Sequence, residues 1–178
     1  EGRDKLASKY GKDHGHPDRF VVITVKNSVH GRTLATCTAT GQYAVHRYFG
    51  PLPSGFRYAE FNNLQSVKDI MDEYVCAILT EPVQGEGGVL PLDREFVQKV
   101  ADLCAKRDWL LLIDEVQTGV GRTGSLLAFH PYRTPPDALS FATGIAGGLP
   151  LGRVMAGEKC RNVFPTRPPD PTPRGTPT

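Results

Sequence analysis

Residues 110–117, Leu-Leu-Leu-Ile-Asp-Glu-Val-Gln, decide the fold of this chain. The apolar run at their start predicts a strand that is covered on both faces, as strands of parallel sheets are. The strand ends at Asp114, a carboxylate that is costly to bury unless a cation pairs with it. In open α/β sheets, ligands bind at the carboxyl ends of the strands. We therefore predict a ligand site at Asp114, with a cationic partner for its carboxylate.

Outside this stretch, apolar strands alternate with helical patterns. Strands are predicted over 20–25, 76–79, 110–114 and 138–142, and helices over 5–10, 64–71 and 93–104. Residues 27–42 are predicted to be a loop that leads into a helical turn, and residues 43–63, which contain Pro51 and Pro53, a loop. This alternation predicts an α/β fold, with a mainly parallel sheet and helices on both of its faces.

Composition excludes several classes of function. A formal net charge of +2 and a pI near 8.4 are too mild to predict a nucleic-acid-binding protein. No apolar run is long enough to cross a membrane, and no signal-peptide pattern is present. The four cysteines are widely spread, which favours buried thiols of a cytoplasmic protein over a metal site or disulfides.

The two ends of the sequence differ from those of a complete domain. Glu1 is not a start methionine, and Lys5, Leu6 and Ala7 lie in the middle of a helical pattern. Residues 164–178 are rich in proline and poor in apolar residues, so we predict a disordered tail there. We expect the chain to be a fragment, with one partial domain over residues 1–163.

Polar, glycine-rich segments follow four of the predicted strands, at 27–33, 81–88, 114–124 and 143–148. In this order and spacing they resemble the class III pyridoxal-phosphate-dependent aminotransferases over about residues 5–163. His-Gly-Arg-Thr-Leu, at residues 30–34, is most similar to the acetylornithine type. The resemblance implies part of the large domain of the fold-type I pyridoxal-phosphate-dependent transferases.

The resemblance also implies a cofactor, pyridoxal 5'-phosphate, and residues that would contact it. Asp114 would keep the ring nitrogen protonated, which the cofactor requires to act as an electron sink. Val116 would pack on one ring face, and Gln117 would hydrogen-bond the phenolic oxygen. Glu115 is also implied to be a cofactor-binding residue. Val29 stands where the family usually has an aromatic residue, so it keeps an apolar contact but loses ring stacking.

Arg32 and Glu86 are the substrate-binding residues that the resemblance implies. Arg32 would hold a substrate carboxylate, and Glu86 would neutralise an arginine between half-reactions. The family reaction transfers an amino group from N-acetylornithine to 2-oxoglutarate, in a homodimer, within arginine biosynthesis. Succinylornithine, ornithine and other ω-amino acids remain alternative substrates.

Thr143 departs from the family at the position of the Schiff-base lysine. A threonine hydroxyl neither forms an imine with an aldehyde nor serves as an amine base. We therefore predict that the chain is catalytically inactive, with pyridoxal phosphate bound non-covalently at best. The alternative is a non-catalytic cofactor-binding protein or a dimer partner of an intact homologue. A nicotinamide-dependent enzyme is disfavoured because no G-x-G-x-x-G follows the first strand.

Each candidate residue also has a purely structural interpretation. Asp114 and Glu115 could cap a strand end, Arg32 could form a surface ion pair, and His30 could be a packing residue of the loop. For Glu81 and Glu86, loop structure and substrate-site electrostatics are equally plausible from the sequence.

Overall fold

The structure is a computed structural model that describes residues 1–164, with Thr143 described by its backbone alone. The predicted tail lies outside the described residues from Pro165 onward. The helices are α1 (Gly2–His14), α2 (Leu34–Ala39), α3 (Tyr43–His46), α4 (Leu64–Asp69) and α5 (Arg94–Arg107). The strands are β1 (Val21–Val25), β2 (Phe56–Ala59), β3 (Val75–Thr80), β4 (Val83–Gln84), β5 (Leu90–Pro91), β6 (Leu110–Asp114), β7 (Ala138–Phe141) and β8 (Arg153–Ala156).

Six strands form one sheet in the order β2-β1-β3-β6-β7-β8. All neighbours in it are parallel except β7 and β8, which are antiparallel, and β4 and β5 form a separate hairpin. This arrangement confirms the predicted α/β fold with a mainly parallel sheet. The four predicted strands correspond to β1, β3, β6 and β7.

The sequence did not predict the two edge strands of the sheet. The prediction of a continuous loop over residues 43–63 is wrong, because β2 lies within it. Only Ala59 of β2 is buried, and all four residues of β8 are exposed. Neither strand therefore carries the apolar run that marks a strand covered on both faces.

Helices cover both faces of the sheet. Leu110 and Leu112 pack with Leu6 of α1 on one face, whereas Leu111 and Ile113 pack with α5 on the other. Successive side chains of a strand point to opposite faces. Asp114 therefore continues the face that α1 covers.

Helix α1 is longer than the predicted segment over 5–10, and it runs opposite to the strands that it covers. Near its end, the Tyr10 hydroxyl donates a hydrogen bond to Asp108, 2.6 Å away and just before β6 begins. A Cβ at Gly11 would lie 2.6 Å from that of Cys76, so the glycine permits close helix–sheet contact. The first turn of α1 consequently reaches the carboxyl edge of the sheet, next to Asp114.

All four cysteines are free and buried, which confirms the predicted thiols. None of the helices between residues 1 and 164 combines the length and the apolar composition needed to cross a bilayer. The same part of the chain contains no group of three or more His, Cys, Asp or Glu residues arranged to hold a metal ion.

Candidate functional site

The polar segments come together at one edge of the sheet. Strands β1, β3, β6 and β7 run parallel, so the segments that follow them all start at their carboxyl ends. Asp114 ends β6, between Glu81 after β3 and Thr143 after β7. The backbone of Thr143 begins a short 3-10 segment (Thr143–Ala146) that lies next to the end of β6.

Asp114 is the most highly connected carboxylate of this edge. Its Oδ2 lies 2.7 Å from Nη1 of Arg3 and accepts a hydrogen bond of 2.8 Å from Nδ1 of His30. Its Oδ1 accepts hydrogen bonds of 3.0 Å from Oγ of Ser140 and 3.2 Å from the backbone N of Val116. The side chain is 4% exposed. The carboxylate is thus fully enclosed by donors from its own chain.

The charges around Asp114 show which neighbour is its counter-ion. Burial by itself raises the pKa of Asp114, but the Arg3 guanidinium and the His30 hydrogen bond outweigh it and hold the pKa below its usual value. Burial lowers the pKa of His30, so this imidazole is neutral at neutral pH and only donates a hydrogen bond. Arg3 is therefore the cation that pairs with Asp114 in the structure, whereas the sequence predicted the protonated ring of the cofactor in this place.

Arg3 makes further contacts that hold its guanidinium in place. Its Nη1 also donates to Oγ of Ser140, and its Nη2 donates to the backbone O of His30 at 3.3 Å. Its Nε lies 3.5 Å from Oδ1 of Asp4. Arg3 was not predicted from the sequence, because the predicted helix began after it. The one available signal was a pair of charged residues, Arg3 and Asp4, directly before the predicted helix.

Glu115 makes contacts of a different kind. Its Oε2 accepts a 2.6 Å hydrogen bond from Oγ1 of Thr118, and its Oε1 accepts a 2.9 Å bond from the backbone N of Phe129. The residue is 1% exposed. These contacts fasten the loop that follows β6. Cofactor binding by Glu115 stays a prediction, and its described contacts are structural.

A cavity of about 700 Å³ opens beside the loop that follows β6. Val116, Gln117 and Glu86 line it, and Nε2 of Gln117 donates to Oε1 of Glu86 at 3.4 Å. Ala142 and Gly144, which flank Thr143, also line it. The structure thus brings the predicted site residues Val116, Gln117 and Glu86 together in one cavity, beside the backbone of Thr143.

Val29 and Arg32 lie in the segment that follows β1. Val29 is half-buried, and its backbone N donates to Oε2 of Glu81 at 3.1 Å. Arg32 is exposed and forms no ion pair among residues 1–164. The structure therefore does not join Arg32 to Glu86, and the substrate roles of both stay predictions.

Glu81 connects the segment after β1 to the end of β3. It is 4% exposed, and burial raises its pKa to about 8, with the charge of Asp114 acting in the same direction. The hydrogen bond from Val29 opposes this shift but does not cancel it. Glu81 is consequently protonated at neutral pH.

We expect Glu81→Gln to flatten the dependence of stability on pH. Between about pH 4.5 and 8 the unfolded chain loses the Glu81 proton while the folded chain keeps it, so the free energy of unfolding falls as pH rises, by about 1.4 kcal/mol per unit. Glutamine has no such proton and still accepts the Val29 bond. Urea unfolding across this range measures the difference, with the exposed Glu158→Gln as control. A difference between Glu81→Gln and the native chain that is constant with pH would contradict the expectation.

The residues at Asp114 do not fit the predicted cofactor as the side chains stand. Arg3, His30, Ser140 and Val116 line a smaller cavity of about 360 Å³. All four form an ion pair or a hydrogen bond with Asp114, but Asp114 itself does not line the cavity. A ring nitrogen that entered this cavity would meet the guanidinium of Arg3 before the carboxylate.

Comparisons with known proteins agree with the resemblance. Aminotransferase class-III is the family that matches, over residues 1–177. The chain is 45% identical over 156 residues to an acetylornithine aminotransferase of Oceanobacillus iheyensis, covering 88% of this chain and 39% of that protein. It is 45% identical over 160 residues to a succinylornithine transaminase of Citrobacter koseri, covering 90% and 39%.

Solved structures agree on the fold. N-acetylornithine aminotransferase from Stenotrophomonas maltophilia matches with a TM-score of 0.74 and 34% identity, covering 91% of this chain and 39% of that one. Ornithine aminotransferase from Toxoplasma gondii matches with a TM-score of 0.86 and 30% identity, covering 98% and 41%. The chain thus spans about two fifths of the length of these relatives. Pyridoxal phosphate, as predicted, is the cofactor of the matched family, and the chain belongs to that family, the class III aminotransferases.

Proposed function

We propose that the chain is part of the cofactor-binding large domain of an acetylornithine-type aminotransferase, over residues 1–163, and that it does not catalyse amino transfer. The observation that carries this proposal is the threonine at position 143, where the family has a lysine. Its backbone begins the segment directly after β7, next to the end of β6, and its neighbours Ala142 and Gly144 line the larger cavity. By resemblance this is the position of the lysine that binds the cofactor and moves the substrate proton.

Within the part of the chain that the structure describes, neither Lys159 nor Lys26 is placed to take over this work. Nζ of Lys159 donates to the backbone O of Trp109 at 2.8 Å, at the amino end of β6 and so at the opposite edge of the sheet. Lys26 follows β1, two strands away from β6, and its ammonium pairs with Glu60. A group that is both covalent anchor and proton carrier contributes many orders of magnitude to the rate.

The substrate class that we propose for the whole enzyme is an ω-amino acid with a 2-oxo acid as acceptor. The relatives named above act on acetylornithine, succinylornithine and ornithine. Exposed Arg32 would hold a substrate carboxylate through two parallel hydrogen bonds, and exposed Glu86 lines the larger cavity. Arginine biosynthesis, a homodimer and a cytoplasmic location complete this proposal.

Steady-state turnover tests the proposed inactivity. The purified chain is incubated with pyridoxal phosphate, 2-oxoglutarate and N-acetylornithine, and glutamate is measured over time. We expect no glutamate above a blank without protein, because residue 143 supplies no amine. An intact acetylornithine aminotransferase is the positive control, and succinylornithine and ornithine are tested in parallel. Glutamate formed in proportion to the concentration of this chain would contradict the proposal.

A non-catalytic dimer partner is the second candidate. The surface around α3 exposes Tyr43, Tyr48 and Phe49, by 80%, 74% and 57%. Exposed apolar surface of this kind is typical of contacts between proteins. Co-elution of the chain with an intact acetylornithine aminotransferase in size-exclusion chromatography supports this candidate, and separate elution contradicts it.

A further inference from the structure

We propose that Arg3 occupies the place on Asp114 that the ring nitrogen of pyridoxal phosphate would take, and so excludes the cofactor ring from this carboxylate. The inference rests on the proposed function, because the resemblance is what assigns Asp114 to the ring nitrogen. It adds that the cation site is already filled by a side chain of the same protein.

The hydrogen bonds of Asp114 leave no acceptor position for a ligand. An ionised carboxylate offers about four lone-pair sites. Arg3 and His30 take those of Oδ2, at 2.7 and 2.8 Å. Ser140 and the Val116 amide take those of Oδ1, at 3.0 and 3.2 Å. A ring N–H would bind only after one of these donors had left.

Arg3 is the donor that the ring must displace. Ser140, His30 and Val116 lie on or next to the strand ends that shape the site, whereas Arg3 reaches Asp114 from the first turn of α1. Arg3 is also the one cation among these neighbours, so a protonated ring beside it would meet a like charge. One carboxylate therefore neutralises either the guanidinium or the ring.

The contacts of Arg3 with other residues favour its guanidinium over the cofactor ring as the partner of Asp114. Nε lies 3.5 Å from the buried Asp4 carboxylate, and Nη2 donates to the backbone O of His30 at 3.3 Å. A departing Arg3 would lose these partners as well as Asp114. Because the Arg3 side chain is 4% exposed, little water reaches its guanidinium to replace a lost ion pair.

Binding of pyridoxine 5'-phosphate tests the inference. This probe has the ring and phosphate of the cofactor but no aldehyde, so it binds without covalent chemistry. We expect Arg3→Met to bind it roughly tenfold or more tightly than the native chain, because a charge-assisted hydrogen bond to Asp114 becomes available. Arg3→Lys keeps the positive charge and is expected to resemble the native chain. Arg161→Met, at an exposed arginine, is the matched control.

Absorbance of the bound probe provides a second measurement. In Arg3→Met the ring nitrogen is expected to stay protonated at a pH where the free probe has lost its proton, since Asp114 then faces the ring. Circular dichroism checks the fold. If Arg3→Met does not fold, Arg3→Gln replaces it, because its amide still donates hydrogen bonds but carries no charge.

The outcomes separate the inference from the proposed function. Equal affinity of the native chain and the uncharged variants would overturn the inference and leave the cofactor site in place. An equal gain in Arg3→Lys and Arg3→Met would also overturn it, because charge would then not be what excludes the ring. Absence of binding in every variant would overturn both the inference and the cofactor site at Asp114.

Discussion

Thr143→Lys is expected to give a chain that sodium borohydride links irreversibly to pyridoxal phosphate, whereas the native chain gives no adduct at residue 143. The lysine amine supplies the nucleophile that threonine lacks, and its backbone stands between two residues that line the larger cavity. The bond forms at the aldehyde carbon and not at the ring nitrogen, so it does not require a vacant Asp114. Mass spectrometry of the digested chain locates the adduct.

A second lysine variant shows whether the position of residue 143 matters, or whether any amine that lines the same cavity reacts with the cofactor. Thr123 lines the same cavity but lies on the loop that follows β6, and not at the end of β7. Thr123→Lys is therefore the matched control. We expect the adduct to form at lower cofactor concentration, by roughly tenfold or more, in Thr143→Lys than in Thr123→Lys. Equal labelling of both would show that residue 143 has no special placement.

Asp114→Ala is expected to lower the free energy of unfolding by about 3–5 kcal/mol, the range for breaking a buried ion pair from one side. The guanidinium of Arg3 would keep its neighbours but lose its nearest counter-ion, in a place where its side chain is 4% exposed. Urea unfolding at neutral pH measures this change. Because Asp114 has a lowered pKa, its contribution is fully present above its unfolded pKa and is lost as the pH falls through the folded one.

A less buried ion pair gives the comparison. Arg57 and Asp72 lie 2.6 Å apart with side chains 31% and 29% exposed, so Asp72→Ala is expected to cost no more than about 1 kcal/mol. In the double variant Arg3→Met/Asp114→Leu both buried charges are gone, and we expect it to be more stable than Asp114→Ala. A loss in Asp114→Ala as small as that in Asp72→Ala would contradict the buried pair.

The strands that carry the site were predictable because burial on both faces leaves a local signal. Four apolar residues in succession at 110–113 suffice to identify β6, its neighbour β3 carries a similar run, and β7 is apolar except for Ser140. The edge strands β2 and β8 leave no such signal, since they are partly exposed or wholly exposed. Their pairing depends on hydrogen bonds to β1 and β7, which the side-chain pattern does not encode.

The site residues divide in the same way. A motif of fixed local spacing indicated Asp114, Val116 and Gln117, and the structure places the first at the strand end and the other two beside the larger cavity. The contacts of Glu115 with Thr118 and Phe129 were not predictable, because they depend on the path of the loop after β6. The motif gave no indication that Glu115 holds this loop.

The sequence by itself determined the family, the α/β fold and the edge of the sheet where the chemistry lies. It also determined that residue 143 supplies no amine, because the identity of a side chain does not depend on folding. Only the tertiary structure decided that the cation beside Asp114 is Arg3. The two residues lie far apart in the chain, and they meet because α1 packs antiparallel to β6 on the face to which Asp114 points. The contact depends both on the direction in which α1 packs on the sheet and on the face of β6 to which Asp114 points. No local sequence pattern specifies the two together.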